Sequence, residues 1–231
     1  NNEAMSYPVK GDEKVLYAIP TSFDVDDHIG KDFKDLEGSI GRDVTCNYNL
    51  MIGRAVQFNN IKKLFESLKI NVTEYILTPI ASARSILTKD ERELGVAVIE
   101  IGAGTTNVIV IKEDQIKHIA VIPFAGASIT EDIRIATSTS SMKSEIMKVK
   151  YGTCLESSVL ENKTIVVKDN LGGREDKMVS FKDLSHYIEA RVTEILEAVL
   201  YEIKENGLMN GITAGIVITG GSSHLKRISE L

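Results

Sequence analysis

Val96-Ala-Val-Ile-Glu-Ile-Gly-Ala-Gly-Thr-Thr106 is the stretch on which the reading of the fold turns. From Val96 to Ile101 only Glu100 is polar, the nearly continuous apolar pattern of a strand buried on both faces. Gly102-Ala103-Gly104-Thr105-Thr106 breaks that run, and Val108 to Ile111 resumes it, so the chain turns back into a second strand. Glu113-Asp114 turns it again into a third, Ile116 to Ile122, which Pro123 ends. The result is a three-stranded meander with glycine in its first turn.

Downstream, Ser128-Ile129-Thr130-Glu131 has capping-box spacing and predicts a helix beginning there. Ser144 to Lys150 reads as a short amphipathic helix and Thr164 to Val167 as an isolated strand. Ser185 to Glu205 is a long helix whose apolar stripe is Ile188, Val192, Ile195, Val199 and Ile203. Gly215 to Thr219 reads as a buried strand, Gly220-Gly221-Ser222 as a tight turn, and Leu225 to Leu231 as the opening of another helix.

Upstream, Lys89-Asp90-Glu91-Arg92-Glu93 reads as a solvated charge run. Pro79 stands where a first helical residue would, since its missing N–H costs nothing there, and Ala81-Ser82-Ala83 lets that helix pack closely. Tyr75 to Leu77 reads as a short strand. Earlier still, Val15 to Ile19 is a strand stopped by Pro20, Asp24 to Gly41 a polar loop, and Val44 to Ile52 a second strand. Ile61, Leu64, Phe65 and Leu68 then lay one stripe along a helix, closing a small β-loop-β-α module near Asn71.

The composition excludes several classes of function. The 231 residues carry 27 Lys+Arg against 33 Asp+Glu, a net charge of −6, and Lys62-Lys63 is too small a basic cluster to hold a nucleic-acid backbone. No run approaches about 18 uninterrupted apolar residues, so no membrane span is expected. Cys46 and Cys154 have no metal-ligand spacing and read as reduced thiols of a cytoplasmic protein. His28, His118, His186 and His224 are scattered, and Ser222-Ser223 lacks the surroundings of a nucleophile, so it reads as a structural cap. Both ends look cut, which suggests an internal piece of a longer protein.

Successive backbone N–H groups pointing into a concavity hold phosphate oxygens well, and glycine lets the backbone come close. The turn at Gly102 to Thr106 meets that condition, with Thr105 and Thr106 favoured as phosphate contacts over plain turn residues. Gly220-Gly221-Ser222 ends a strand and makes a second backbone clamp. Two such clamps separated by a long helix are what a nucleotide requires. Replacing Gly104 with Val is expected to abolish nucleotide affinity, by crowding the phosphate and forbidding positive φ.

Glu100-Ile-Gly-Ala-Gly-Thr-Thr106 resembles the second phosphate loop of the actin, Hsp70 and sugar-kinase superfamily, and Gly215-Ile-Val-Ile-Thr-Gly-Gly221 resembles its adenosine loop. Within it the chain resembles the FtsA family of bacterial cell-division proteins. The stretches that carry this are Val15-Leu-Tyr-Ala-Ile-Pro20, Leu87 to Gly95, Val121-Ile-Pro-Phe-Ala-Gly126, Ile129 to Ile133, Lys148-Val-Lys-Tyr-Gly152 and Gly172-Gly-Arg174. The resemblance implies a partial α/β, actin-like (RNase H-like) ATPase fold with a small extra subdomain. Residues 1–72 would be that subdomain, 73–94 a strand and connecting helix of the first actin-like half, 95–143 and 211–231 the nucleotide-binding core of the second half, and 144–210 its upper subdomain.

It also implies an ATP-binding, Mg²⁺-dependent protein that polymerises, binds the C-terminal tail of the tubulin-like FtsZ through the upper subdomain and meets other division proteins. By that reading it works at the cytoplasmic face of the inner membrane during septum formation. The membrane would be reached only through a C-terminal helix beyond Leu231. The ATP residues implied are Gly102, Ala103, Gly104, Thr105, Thr106, Gly220, Gly221 and Ser222. Glu189 and Arg191 match positions that can face the nucleoside, though an exposed helix pair explains them equally well.

Three departures bear on chemistry. Glu100 stands where the superfamily has an Asp that orients Mg²⁺ through water, and reaches one methylene further. Asn107 replaces an Asp that helps place the attacking water and cannot act as a general base near neutral pH. Thr78 precedes Pro79 where Hsp70-like relatives have Glu. Glu100 and Asn107 are therefore weak catalytic candidates, and the expectation is a nucleotide-dependent scaffold rather than an enzyme. The competing readings are the actin-like component of type IV pilus assembly and a chaperone or sugar-kinase type ATPase.

Overall fold

Alternating apolar residues and a proline on one long strand organise the first part of the chain. The structure, a computed structural model, describes residues 2–26, 28–30, 41–160, 163–167 and 176–231. The Gly172-Gly-Arg174 stretch lies outside them, as do most of the residues read as a loop between Asp24 and Gly41. The chain divides into two compact units, residues 1–81 with 115–117 and residues 82–114 with 118–231.

In the first unit a short helix α1 (Asn2–Met5) precedes strand β1 (Glu13–Val25). Pro20 does not stop β1. The strand continues past it because the ladder to β3 (Val44–Arg54) shifts register between Pro20 and Ser22, the kind of irregularity that tolerates a missing N–H. Asp24 and Val25 still belong to β1 and pair with β2 (His28–Gly30), so part of the expected loop is strand. The sheet order is β2-β1-β3, and Val15, Ala18, Ile19, Phe23 and Val25 are its buried residues.

Helix α2 (Ala55–Ser67) follows, amphipathic as its stripe predicts, yet none of its residues is buried and Ile61, Leu64 and Leu68 are exposed. Its aromatic anchor is Phe58, whose ring lies 4.6 Å from that of Tyr75 and carries Lys14 Nζ 4.2 Å above it. Tyr75 to Leu77 is not a strand: no ladder reaches it among the described residues, and an apolar run without a partner has no strand to join. Helix α3 (Thr78–Ile86) starts there, with Pro79 in its first turn.

The expected charge run is solvated, with no residue buried, and it is also helical. Thr88 and Glu91 exchange both bonds of a capping box and start α4 (Lys89–Leu94). The meander of the second unit then forms as its sequence predicts: β4 (Val96–Ile101), β5 (Thr106–Lys112) and β6 (Gln115–Ile122). Glu113 and Asp114, both at positive φ, make the two-residue turn between β5 and β6. Strand β9 (Ile216–Thr219) adds itself parallel to β4, giving the order β6-β5-β4-β9. Standing at the end of that order, β9 is only partly buried, with Ile216 48% exposed, rather than the buried strand its composition suggests.

Helix α5 (Gly126–Thr137) begins ahead of the expected capping box with no side-chain cap, and Glu131 pairs with Arg134 rather than reaching back. Helix α6 (Ser141–Tyr151) follows, capped by Ser140. Thr164 to Val167 is not isolated: as β7 it pairs antiparallel with β8 (Lys177–Ser180). Ser180 also caps α7 (Phe181–Glu205), accepting from the N–H groups of Lys182 and Asp183, so this helix starts four residues before Ser185. Its whole predicted stripe is buried, in one core with Ile99, Ile101, Ile129 and Ile133. After β9 the chain makes two 3₁₀ turns, Gly221–His224 and Ile228–Glu230, rather than opening an α-helix, with Arg227 in the left-handed region between them. Among the described residues no helix is long and apolar enough to cross a membrane.

Candidate functional site

The turn between β4 and β5 is closed by one bond, Gly102 N–H to Thr105 O at 3.0 Å. The N–H groups of Ala103, Gly104 and Thr105 have no hydrogen-bond partner among the described residues. Thr105 is exposed, whereas Thr106 is fully buried and donates its hydroxyl to Phe124 O at 2.9 Å. The two threonines therefore differ: Thr106 ties the turn to the loop ahead of α5, and Thr105 faces solvent. Two N–H groups at the start of α5 hold the turn from the other side, Gly126 to Gly102 O at 3.0 Å and Ala127 to Ala103 O at 2.7 Å.

Gly104 is not at positive φ, and a Cβ built on it meets nothing within 4 Å. The backbone reason for requiring glycine there fails. It applies instead to Gly220, where φ is +91° and a Cβ would lie 2.5 Å from Ile101 O. Gly221 and Ser222 open the 3₁₀ turn after it, and their N–H groups are also without partners among the described residues. Ser222 Oγ reaches Gly102 O at 3.4 Å, joining the two glycine turns. Ser223 Oγ donates to Gly220 O at 2.7 Å, the structural role expected of a serine here.

Both turns open on one cavity of about 820 Å³, within the usual range for small-molecule sites of roughly 300–1,000 Å³. Of the eight residues expected on the two turns, Gly102, Ala103, Gly221 and Ser222 line it, together with Gly126 and α6, whereas Gly104, Thr105, Thr106 and Gly220 do not. The α6 residues Glu145 and Lys148 were not expected as site residues, although Lys148 opens one of the stretches that carry the family resemblance. Their i, i+3 spacing on a predicted amphipathic helix was the available signal. Lys148 is 7% exposed, and its Nζ lies 2.9 Å from Gly126 O, 2.8 Å from Thr130 Oγ1 and 2.8 Å from Glu145. Burial alone would raise the Glu145 carboxyl, but hydrogen bonds from Lys148 and Thr130 outweigh it and hold its pKa below the ordinary value. Gly126 was also missed as a site residue. A Cβ on it would meet Ser222 Oγ at 2.5 Å and Gly102 O at 3.0 Å, so this glycine lets the two turns and α5 converge.

Glu189 and Arg191 do not line the cavity. Glu189 accepts from Glu156 N–H at 2.5 Å, and Arg191 spans α5 and α7 through Asp132, at 2.6 and 2.9 Å, and also pairs with Glu194. Glu100 and Asn107 face each other across the β4–β5 ladder, with Asn107 Nδ2 donating to Glu100 at 3.1 Å, and neither lines the cavity. No group of three or more metal-binding side chains occurs among the described residues.

A mixed sheet with a glycine turn after β4, a second after the parallel β9, and helices gathered over both defines an actin-like fold. Two solved structures bear this out. MreB5 of Spiroplasma citri bound to ADP is 18% identical and matches with a TM-score of 0.50 over 94% of this chain and 82% of its own. The PilM-PilN type IV pilus biogenesis complex is 14% identical, with a TM-score of 0.58 over 84% of this chain and 49% of its own. Within that class the chain belongs to the family of cell division protein FtsA, whose family model matches residues 97–231. The FtsA of Pseudomonas aeruginosa is 32% identical over 228 residues, 99% of this chain and 54% of its own length. The chain thus spans about half the length of the curated relatives it matches.

Proposed function

We propose that this cavity binds ATP, as part of a protein that polymerises and ties FtsZ filaments to the cytoplasmic face of the membrane during septum formation. The observation that carries the nucleotide reading is the meeting of two glycine turns, joined by Ser222, on one cavity, where the lining residues Ala103, Gly221 and Ser222 have backbone N–H groups without partners among the described residues. The turns suit phosphate oxygens, and the half-exposed carboxylate of Glu145 on the facing helix, held by Lys148, can accept from the hydroxyls of a ribose. The ADP bound to MreB5 supports the same assignment by analogy of fold.

Bound Mg²⁺ would neutralise phosphate charge. Glu100 is its candidate carboxylate through water, but since it already accepts from Asn107 outside the cavity lining, phosphate oxygens and water would carry most of the coordination. The same residues favour a scaffold with at most weak ATPase activity. Asn107 cannot take a proton, Glu145 is held in its charged form as a poor base, and Glu131 is committed to Arg134. For the FtsZ tail, the β7–β8 hairpin presents Val166 and Met178 as an exposed cross-strand apolar pair, and α6 presents Ile146 exposed, side chains of the kind a peptide helix packs on.

Titration calorimetry with MgATP on the natural-length protein tests the first part. Saturable micromolar binding is expected, and none by a folded sample would sink the reading. Titrating the chain with an FtsZ C-terminal tail peptide, once circular dichroism shows it folded, tests the second. Phosphate release with kcat near about 1 s⁻¹, the low end for enzymes, would overturn the scaffold assignment.

A further inference from the structure

Lys148 Nζ has three donors, and all three are spent inside the protein: on Gly126 O, Thr130 Oγ1 and Glu145. The bond to Gly126 O has a consequence through the peptide unit it touches. The Gly126 carbonyl and the Ala127 N–H belong to the same amide, and that N–H donates to Ala103 O at 2.7 Å, shorter than the neighbouring bond from Gly126 N–H to Gly102 O at 3.0 Å. The Ala103 carbonyl in turn shares its amide with the N–H of Gly104, which has no partner among the described residues. Hydrogen bonds in series through amide units polarise one another, most strongly where water is excluded. A buried ammonium stands at one end of this series and, at the other, the N–H of exposed Gly104, which follows the cavity-lining Ala103 in the turn.

We propose that Lys148 is a positioning residue for the triphosphate, acting through the Gly126–Ala127 and Ala103–Gly104 amides to strengthen Gly104 N–H as an anion donor. This rests on the nucleotide reading above for its ligand, but not for its mechanism. The relay exists in the ligand-free protein, and the turn it supplies is held on both flanks by Thr106 and Ser222. It also gives Lys148 a role that a ribose contact alone would not: its removal should weaken ligands in proportion to their phosphates.

The test compares the natural-length protein with Lys148→Met by titration with ATP, AMP and adenosine, and by amide NMR of the ligand-free forms. Expected are a loss for ATP of about 2- to 5-fold beyond that for adenosine, since each bond in the series is strengthened by only about 10–30%, and an upfield move of the Gly104 amide proton. Equal losses for ATP and adenosine with Gly104 unmoved would overturn the relay and leave Lys148 a nucleoside contact. If the wild type binds no ATP, the nucleotide reading fails, while the Gly104 resonance still decides the relay. Should Lys148→Met not fold, Glu145→Gln decides it. Removing the countercharge leaves the ammonium less neutralised, so the Gly104 proton should move downfield; no movement would overturn the proposal.

Discussion

Which glycine matters is settled one residue at a time. Gly220→Ala forces a Cβ against Ile101 O in a backbone region open to glycine alone, a strain of about 1–3 kcal/mol that should also displace Ser222 from Gly102. We expect it to lower the melting temperature and remove ATP binding, whereas Gly104→Ala should leave the melting temperature unchanged. Thermal melts of the two variants side by side check this. Cys154 is fully buried, and its thiol is pushed up to about 12 by burial first and by the charge of Glu189 second. It should resist iodoacetamide at pH 8 in the folded protein and react only in denaturant, which mass spectrometry of labelled peptides would reveal. Glu145 gives a pH signature of definite sign. Its pKa is lowered on folding, so its contribution to stability is present above its unfolded value of 4.5 and is lost as pH falls through the lower folded value. Lys148→Met removes the main cause, so the acid limb of stability should flatten in that variant when followed by circular dichroism.

At the scale of elements, α7 and α2 carry the same kind of apolar stripe with opposite outcomes. The α7 stripe is fully buried, and Ile188→Ala should cost about 2–5 kcal/mol, as deletions in tightly packed cores do. In α2 no residue is buried, so Leu64→Ala should change stability by less than about 0.5 kcal/mol. Urea denaturation of both variants checks the contrast, and a large loss in α2 would mean its stripe is covered. Periodicity reveals that a helix has an apolar face, but not whether anything lies against it. The β7–β8 hairpin makes the related point for strands. Thr164 to Val167 has a legible β pattern, while Lys177 to Ser180, equally short, is too polar to announce itself without its partner.

For the whole molecule, a ligand that binds only the folded state stabilises it by mass action, by about 2.7 kcal/mol at a concentration 100 times its Kd. MgATP at saturating concentration should therefore raise the melting temperature of the natural-length protein, and the Gly220→Ala variant should lose that rise. The FtsZ tail should bind the same protein without needing ATP if its surface is the exposed face of α6 and β7–β8. A tail affinity that depends on ATP would instead point to coupling through α6, whose other face lines the cavity.

Much of this was legible along the chain: the meander, the long helix with its stripe, the two glycine turns and the family they belong to. Those features rest on local chemistry, such as side-chain alternation, helical period and turn residues, which acts over a few neighbours. The site was legible only in part. Gly102 and Ser222 stand 120 residues apart and meet because β9 lies parallel to β4. Lys148 reaches Gly126 because α6 folds back over the start of α5. Glu189 and Arg191 have the right chemistry for a nucleoside, yet they are spent on Glu156 and Asp132. Whether a polar side chain serves a ligand or the protein depends on which backbone and side chains surround it, and only packing between distant elements decides that.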